Sequence, residues 1–469
     1  MDAMHRNSVS LDSFVPVQIG LSSRAAPVHL DLAKMSNPHM LVSGMSGSGK
    51  SHLIRNIISR LTNRGITTHI VELHPDMSYQ DFVSAGCEGH VSPEDFNYLN
   101  FDYVDGDASV NIMQFNPSPE SGGVYMAIQD VLDVARLFNP SLGSRQVTYL
   151  QKLLEYTYSR KGIDHNHPST WVQPEEPRNP TGHHPNLHDL MDSLIEIRRS
   201  VSSGLGSDVF NEVHRLRKKC AKLKSSLENG VLNQDEELEQ REEMEKQFDV
   251  LKVSVVDILR SEVFDQKEHD PFYKGWKVDT LDSLADTVRS MIESSLFTRG
   301  VDEPAVVKGP KKGKINVYRL SNLSYVHQKT MIHVLLTRIY NASMRMCKKL
   351  NPETPDTYLV LDEGRYAKEA AKSPMSPLNV IMGGARKFGL GAIIGVQGPE
   401  QISNDMAQNF ATKFILACAE AGYADAKKYF NLPPTRMKKI TPKQDGLVSI
   451  NSNPFELTRL FPPEMRRAA

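Results

Sequence analysis

Gly44, Gly49, Lys50 and Ser51 stand at the spacing G-x-x-x-x-G-K-S, with Ser46, Gly47 and Ser48 as small residues inside the loop. Such a loop holds phosphate: glycines let backbone amides curl around the oxygens, a lysine neutralises the β and γ oxygens, and a hydroxyl can ligate Mg2+. The expected nucleotide contacts are therefore Gly44, Ser46, Gly47, Ser48, Gly49, Lys50, Ser51 and His52. Phosphoanhydride hydrolysis also needs carboxylates, one to steady the metal and one to polarise water. Asp362 and Glu363 in TYLVLDEGRYA (357–367) supply both. Asp362 is expected to face Mg2+ together with Ser51, and Glu363 to act as general base; the plain alternative is a strand end carrying two solvated acids. Gln397 ends another apolar stretch, GLGAIIGVQ (389–397), where its side chain either touches the γ-phosphate or caps the turn at Gly398-Pro399. No NKxD base-reading stretch follows, which disfavours a GTPase and leaves ATP with Mg2+ as the expected ligands.

These side chains need strands whose ends meet. HMLVSG (39–44) reads as a buried strand, and Leu53, Ile57, Ile58 and Leu61 line one face of a following helix that stops before Gly65. ITTHIVEL (66–73) resumes as a strand and completes a βαβ unit. TYLVL (357–361), GLGAIIGVQ and NFATKFILAC (409–418) add further strands. Strands alternating with helices predict an α/β fold, a doubly wound and mainly parallel sheet with the nucleotide at its carboxyl edge.

Several stretches, in order along the chain, resemble one family. PVHLDLAKMSNPHMLVSGMSGSGKS (27–51), SVNIMQFNP (109–117), INVYRLSNLSYVHQKTMIHVLLTRIY (315–340) and GGARKFGLGAIIGVQGPEQIS (383–403) are similar to the HerA/FtsK superfamily of P-loop motors. That superfamily includes the HerA translocases and the conjugative secretion ATPases. VELHPDMSY (71–79) matches the family's Asp-Pro-His-Gly-Glu-Tyr turn only at Pro75 and Tyr79. The likeness covers residues 27–155 and 275–460. It implies RecA-like folds in a homo-hexameric ring, ATP at subunit boundaries, and duplex DNA or another polymer in the channel. It also implies that Arg386 is a finger reaching the neighbour's site, with Lys387 beside it; Arg365, directly after the acidic pair, competes for that role. A surface Arg-Lys pair is the plain reading of the same residues. Two departures stand out. Val396 occupies the family's usual Thr position, so Gln397 loses a hydroxyl neighbour. Residues 1–26 leave no room for the family's N-terminal barrel, and FVPVQIGLSS (14–23) is expected as its remnant, which puts docking to a nuclease through that barrel in doubt.

The expected organisation is an N-terminal extension (1–26), a first part of the ATPase core (27–155), an insertion (156–275) and a second part of the core (276–469). In the insertion, residues 164–190 are rich in Pro, Asn and Gly and read as a long exposed loop. Its histidines, His165, His167, His183, His184 and His188, lack the regular spacing of a metal site. Val209, Val213, Leu216, Cys220, Leu223 and Leu227 then repeat at heptad spacing, Asn229-Gly230 breaks the pattern, and Met244, Phe248, Leu251 and Val255 resume it. An antiparallel coiled-coil hairpin over 209–258 is the natural solution, its basic first arm facing its acidic second. It serves either as a self-contained element or as an arm gripping a partner.

Composition narrows the partners. Lys+Arg 55 against Asp+Glu 56 gives a net charge of -1, so no whole-molecule field draws the 469-residue chain to nucleic acid. A local patch must do so, and Lys308, Lys311, Lys312 and Lys314 form one, either a phosphate-tracking collar when repeated around a ring or a solvated turn. The four cysteines are scattered and no apolar run is long enough to span a bilayer, so a cytoplasmic location without direct membrane insertion is expected. The leading expectation is an ATP-driven translocase of duplex DNA, without sequence specificity, serving DNA processing or mobile-element defence with an effector or nuclease partner. A soluble ATPase energising conjugation or type IV secretion is the second reading, and an ATP-gated scaffold that recruits an effector is the third.

Overall fold

The computed structural model describes residues 16–104, 106–115, 117, 122–171, 184–203, 275–297, 309–350, 354–364, 366 and 376–461, with a few positions between 242 and 253. The hairpin expected over 209–258 therefore lies outside the described residues but for those few positions, and Lys308, Arg365 and His183 lie outside them entirely. In chain order the elements are β1 (Val17–Ser22), β2 (Pro27–Leu30), β3 (Met40–Ser43), α1 (Lys50–Thr62), β4 (Thr67–Glu72), α2 (Tyr79–Ser84) and β5 (Phe96–Asn100). Helices α3 (Gly123–Phe138), α4 (Ser144–Arg160), α5 (Leu187–Ser203) and α6 (Val278–Glu293) follow. Then come β6 (Ile315–Arg319), α7 (Tyr325–Leu350), β7 (Thr357–Leu361), α8 (Pro377–Gly384), β8 (Leu390–Val396), β9 (Thr412–Ile415), β10 (Asp445–Ser449) and β11 (Glu456–Leu460).

The chain divides into two compact units, 1–110 with 303–469, and 111–302. The first is built on one sheet of eleven strands in the order β2-β1-β11-β10-β9-β3-β8-β7-β4-β6-β5. From β9 to β5 all neighbours are parallel, while β10, β11, β1 and β2 add an antiparallel flank. The reason is written in the strands. MLVS, TTHIVE and LGAIIGV are buried at every position, as strands covered on both faces must be, whereas ELTRL is fully buried only at Thr458. Helix α1 buries Leu53, Ile54, Ile57, Ile58 and Leu61, and the left-handed Gly65 (φ 72) ends the turn that returns the chain to β4. The stretch expected as a barrel remnant enters the same sheet: β1 pairs with β2 and β11, and Val17 and Ile19 are fully buried.

The described residues of the second unit form helices α3 to α6. Helix α3 packs on α4 and α6, α4 on α5, and α5 on α6. Arg160 pairs with Glu196 at 2.8 Å, and Tyr149 stacks on Trp276 with ring centroids 4.2 Å apart. The unit starts at Asn111, where the sequence placed the insertion at 156, because the apolar faces of α3 and α4 are buried within it. Part of the histidine-bearing loop is folded: Trp171 Nε1 donates to the Asp164 carbonyl at 2.7 Å, and His167 Nδ1 lies 2.6 Å from Asp164 Oδ2.

Two buried histidines of the sheet tie its stability to pH. His39, which leads into β3, has no hydrogen-bond partner on either ring nitrogen among the described residues, and His69 of β4 meets the Tyr318 hydroxyl at 2.9 Å. Burial pushes both down to about 4, whereas an exposed histidine titrates at about 6.5. Between those values the unfolded chain takes up protons that the folded chain refuses, so stability is full above about pH 6.5 and declines as pH falls toward about 4. Urea midpoints measured across that window should fall more steeply in the native protein than in a His39→Gln variant. Equal slopes would remove His39 from the effect.

Candidate functional site

The phosphate loop is stitched between two strand ends. The Gly44 N–H donates to the Val396 carbonyl and the Met45 N–H to the Ala417 carbonyl, both at 3.0 Å. Gly44 has no room for a side chain, since an added Cβ would stand 2.5 Å from Ser48 Oγ. Gly47 (φ 77) and Gly49 (φ 101) take the left-handed conformations that curl the loop. Helix α1 begins at Lys50 with no side-chain cap and no acidic residue in its first turn, so its amino-terminal N–H groups are left to an incoming anion. His52 sits in that first turn, its carbonyl accepting from Asn56 Nδ2 at 3.0 Å. Ser48 Oγ is buried without a hydrogen-bond partner among the described residues. The uncapped helix start, the curled glycines and this orphaned hydroxyl suit a nucleotide phosphate.

Sheet order brings the second half of the site. Strand β8 lies between β3 and β7, so the acidic pair at the end of β7 is one strand away from the loop that follows β3. The Asp362 carboxylate crosses that gap. Lys50 Nζ donates to its Oδ1 at 2.6 Å and Ser51 Oγ to its Oδ2 at 2.9 Å. The crossing runs over Gly395 of β8, where an added Cβ would stand 2.0 Å from Asp362 Oδ1. Four residues earlier on both strands, the Tyr358 ring crosses Gly391 in the same way, 2.4 Å from an added Cβ. Two glycines four apart on one parallel strand thus receive two side chains four apart on the next.

Glu363 and Gln397 line the same cleft as Lys50, Ser51, Ser46 and Asp362. Gln401 Oε1 accepts the Gln397 backbone N–H across the turn after β8 at 2.8 Å, and Gln397 is among the residues that line the cleft. The Asp362 and Ser51 oxygens are hard ligands of the kind Mg2+ takes, and this ion commonly completes its shell with phosphate oxygens and water. Among the described residues no three His, Cys, Asp or Glu side chains form a metal cluster by themselves.

Asp76, Arg55, Glu72 and Lys443 were not read from the sequence. Asp76 lines the cleft; its carboxyl is raised by burial and by the Asp362 charge, while Arg55 and the Ser51 hydroxyl act against that rise. Arg55 grips the Asp76 carbonyl from Nε at 3.0 Å. Glu72, the last residue of β4, is raised chiefly by burial; its Oε1 accepts the Met77 N–H at 2.8 Å and its Oε2 lies 3.2 Å from Arg319 Nε. Lys443, in a left-handed turn (φ 64), donates its backbone N–H to the Ser48 carbonyl at 3.0 Å and packs on Gly49. Only the HPD turn carried a local signal, polar residues directly after a buried strand.

Arg386 is not brought to this cleft. It is exposed in the turn Ala385–Phe388 that precedes β8, and so lies at the amino end of the strand whose carboxyl end carries Gln397, about 20 Å away along the chain. Lys387 stands over the Phe388 ring. Lys311 and Lys312 are exposed at the same amino edge, before β6, while Lys314 pairs with Asp95 at 2.9 Å. Among the described residues no helix is long and apolar enough to cross a membrane.

Comparison with known proteins agrees with the geometry. Residues 17–170 match the family model of the helicase HerA central domain. No curated protein matches the chain. VirB4 of Thermoanaerobacter pseudethanolicus superposes with a TM-score of 0.60 at 13% identity, over 96% of this chain and 98% of that one. The bacterial conjugative coupling protein TrwB gives 0.47 at 13% identity, over 94% and 88%. The sheet is the RecA-like P-loop sheet, shared with VirB4 over nearly the whole length. Residues 17–170 are thus similar to the HerA central domain, and the chain as a whole has a RecA-like P-loop fold.

Proposed function

We propose that the protein hydrolyses ATP in the cleft between the phosphate loop and β7, and that a ring of its copies, a homo-hexamer, uses the energy to move duplex DNA in concert with an effector protein. The observation that carries the hydrolytic reading is the Asp362 carboxylate, which joins Lys50 and Ser51 while Glu363 stands beside it in the cleft. When ATP arrives, its phosphates take over Lys50 from Asp362, and the ammonium neutralises the β and γ oxygens. Asp362 and Ser51 would hold Mg2+, which would supply charge neutralisation at the transferring group. Glu363 orients and deprotonates the attacking water, and Gln397 contacts the γ-phosphate from the strand between the two halves of the site.

Arg386 serves a different site. Its position at the opposite edge of the sheet fits a finger offered to a neighbouring copy, so that turnover depends on assembly. Lys311 and Lys312 would then contribute to a basic collar repeated around the ring.

The test is ATP turnover with and without duplex DNA. DNA should raise the rate, and Lys50→Ala should lower it by at least about a hundredfold, the scale of losing a principal charge on the transferring phosphoryl group. Turnover indifferent to DNA, coupled to ATP-dependent assembly, would replace the motor with a nucleotide-gated scaffold.

A further inference from the structure

His74 is not among the residues that the phosphate loop or the acidic strand supplies, yet it faces the same cleft. Its Nε2 lies 3.5 Å from Glu363 Oε2, and the two side chains differ sharply in exposure, 69% for His74 and 11% for Glu363. The turn that carries His74 is held on several sides. Glu72 Oε1 accepts the Met77 N–H at 2.8 Å, the Asp76 N–H donates to the His74 carbonyl at 2.8 Å, and Arg55 holds the Asp76 carbonyl. Downstream, Ser78 and Asp81 form a capping box that starts α2. An exposed imidazole on so firmly anchored a turn is directed by its backbone.

We infer that His74 is a positioning residue for Glu363: its Nε2–H holds one carboxylate oxygen so that the other faces the attacking water. The inference rests on the reading of the cleft as an ATP-hydrolysing centre. A carboxylate that must accept a proton in one direction loses efficiency when it can rotate, and small misplacements of a reacting group are costly. The anchor comes from β4, whose end lies beside that of β7 in the sheet, so it stays in register with the acidic strand.

Native turnover that requires Lys50 establishes the underlying reading first; His74 is then tested within it. His74→Ala should lower kcat about tenfold while KM for ATP stays within about twofold, the pattern of an interaction used in the transition state rather than in binding. His74→Gln, whose amide N–H can replace Nε2–H, should recover most of the rate, and added imidazole should partly rescue His74→Ala because the site is open to solvent. In a Glu363→Gln background, His74→Ala should cost less than about twofold, since the pair acts as a unit. An unchanged kcat, a loss confined to KM, a loss that neither Gln nor imidazole relieves, or a full further loss in the Glu363→Gln background would each overturn the assignment. Native protein without Lys50-dependent turnover would instead overturn the hydrolytic reading.

Discussion

Gly395→Ala is expected to silence ATP turnover although residue 395 touches no nucleotide. The new methyl would occupy the space of Asp362 Oδ1, 2.0 Å from the added Cβ, in a strand buried on both faces. Either the carboxylate swings off Lys50 and Ser51, or β7 and β8 part. A displacement of about 1 Å at a catalytic group costs on the order of a hundredfold in rate, and overpacking a filled core costs about 1–3 kcal/mol in stability. A steady-state ATPase assay with a thermal melt of the same variant separates the two. If the cause is the carboxylate, Gly395→Ala added to Asp362→Ala should produce little further loss of rate. Native turnover in Gly395→Ala would count against the arrangement in which Asp362 reaches Lys50 and Ser51 directly over residue 395.

Glu363→Gln should separate binding from hydrolysis. The amide keeps the shape of the carboxylate and cannot accept the proton of the attacking water. Loss of a general base typically lowers rate by about 10²–10⁴-fold. Binding of a fluorescent ATP analogue should stay within about twofold, because Lys50, Ser51 and the loop amides are unchanged. The variant should therefore hold ATP and accumulate whatever assembly ATP favours, which light scattering or size-exclusion chromatography can read. A Glu363→Gln protein that turns over at the native rate would leave the water without this base. Asp76, also on the cleft wall, would be the next carboxylate to test.

Residues with short-range signals were legible. The glycine spacing 44–51, the apolar run before Asp362 and the stretch ending at Gln397 are local patterns, and each maps onto a single strand end. Continuous apolar runs identified buried parallel strands for the same reason: the preference is carried by the run itself. Contacts between distant segments were not legible. Nothing in GLGAIIGVQ says that its glycines at 391 and 395 leave room for Tyr358 and Asp362, because the requirement belongs to the neighbouring strand. Lys443 closing on Ser48, and His74 meeting Glu363, likewise join segments about 300 or more residues apart, beyond the reach of any pattern read along the chain.

The amino-acid sequence by itself determined the groups on offer: a glycine-rich phosphate-type loop with its lysine and serine, two adjacent acids at a strand end, and a doubly wound sheet to carry them. Local residue type and spacing suffice for that, since each element is specified within its own stretch. Only the tertiary structure decided which of these meet. By placing β8 between β3 and β7 it set Asp362 against Lys50 and Ser51, and by ending β4 beside β7 it added His74, Glu72 and Asp76 to the cleft. It also sent Arg386 to the far edge, because all the central strands run parallel and a residue that precedes β8 cannot share an end with one that follows it.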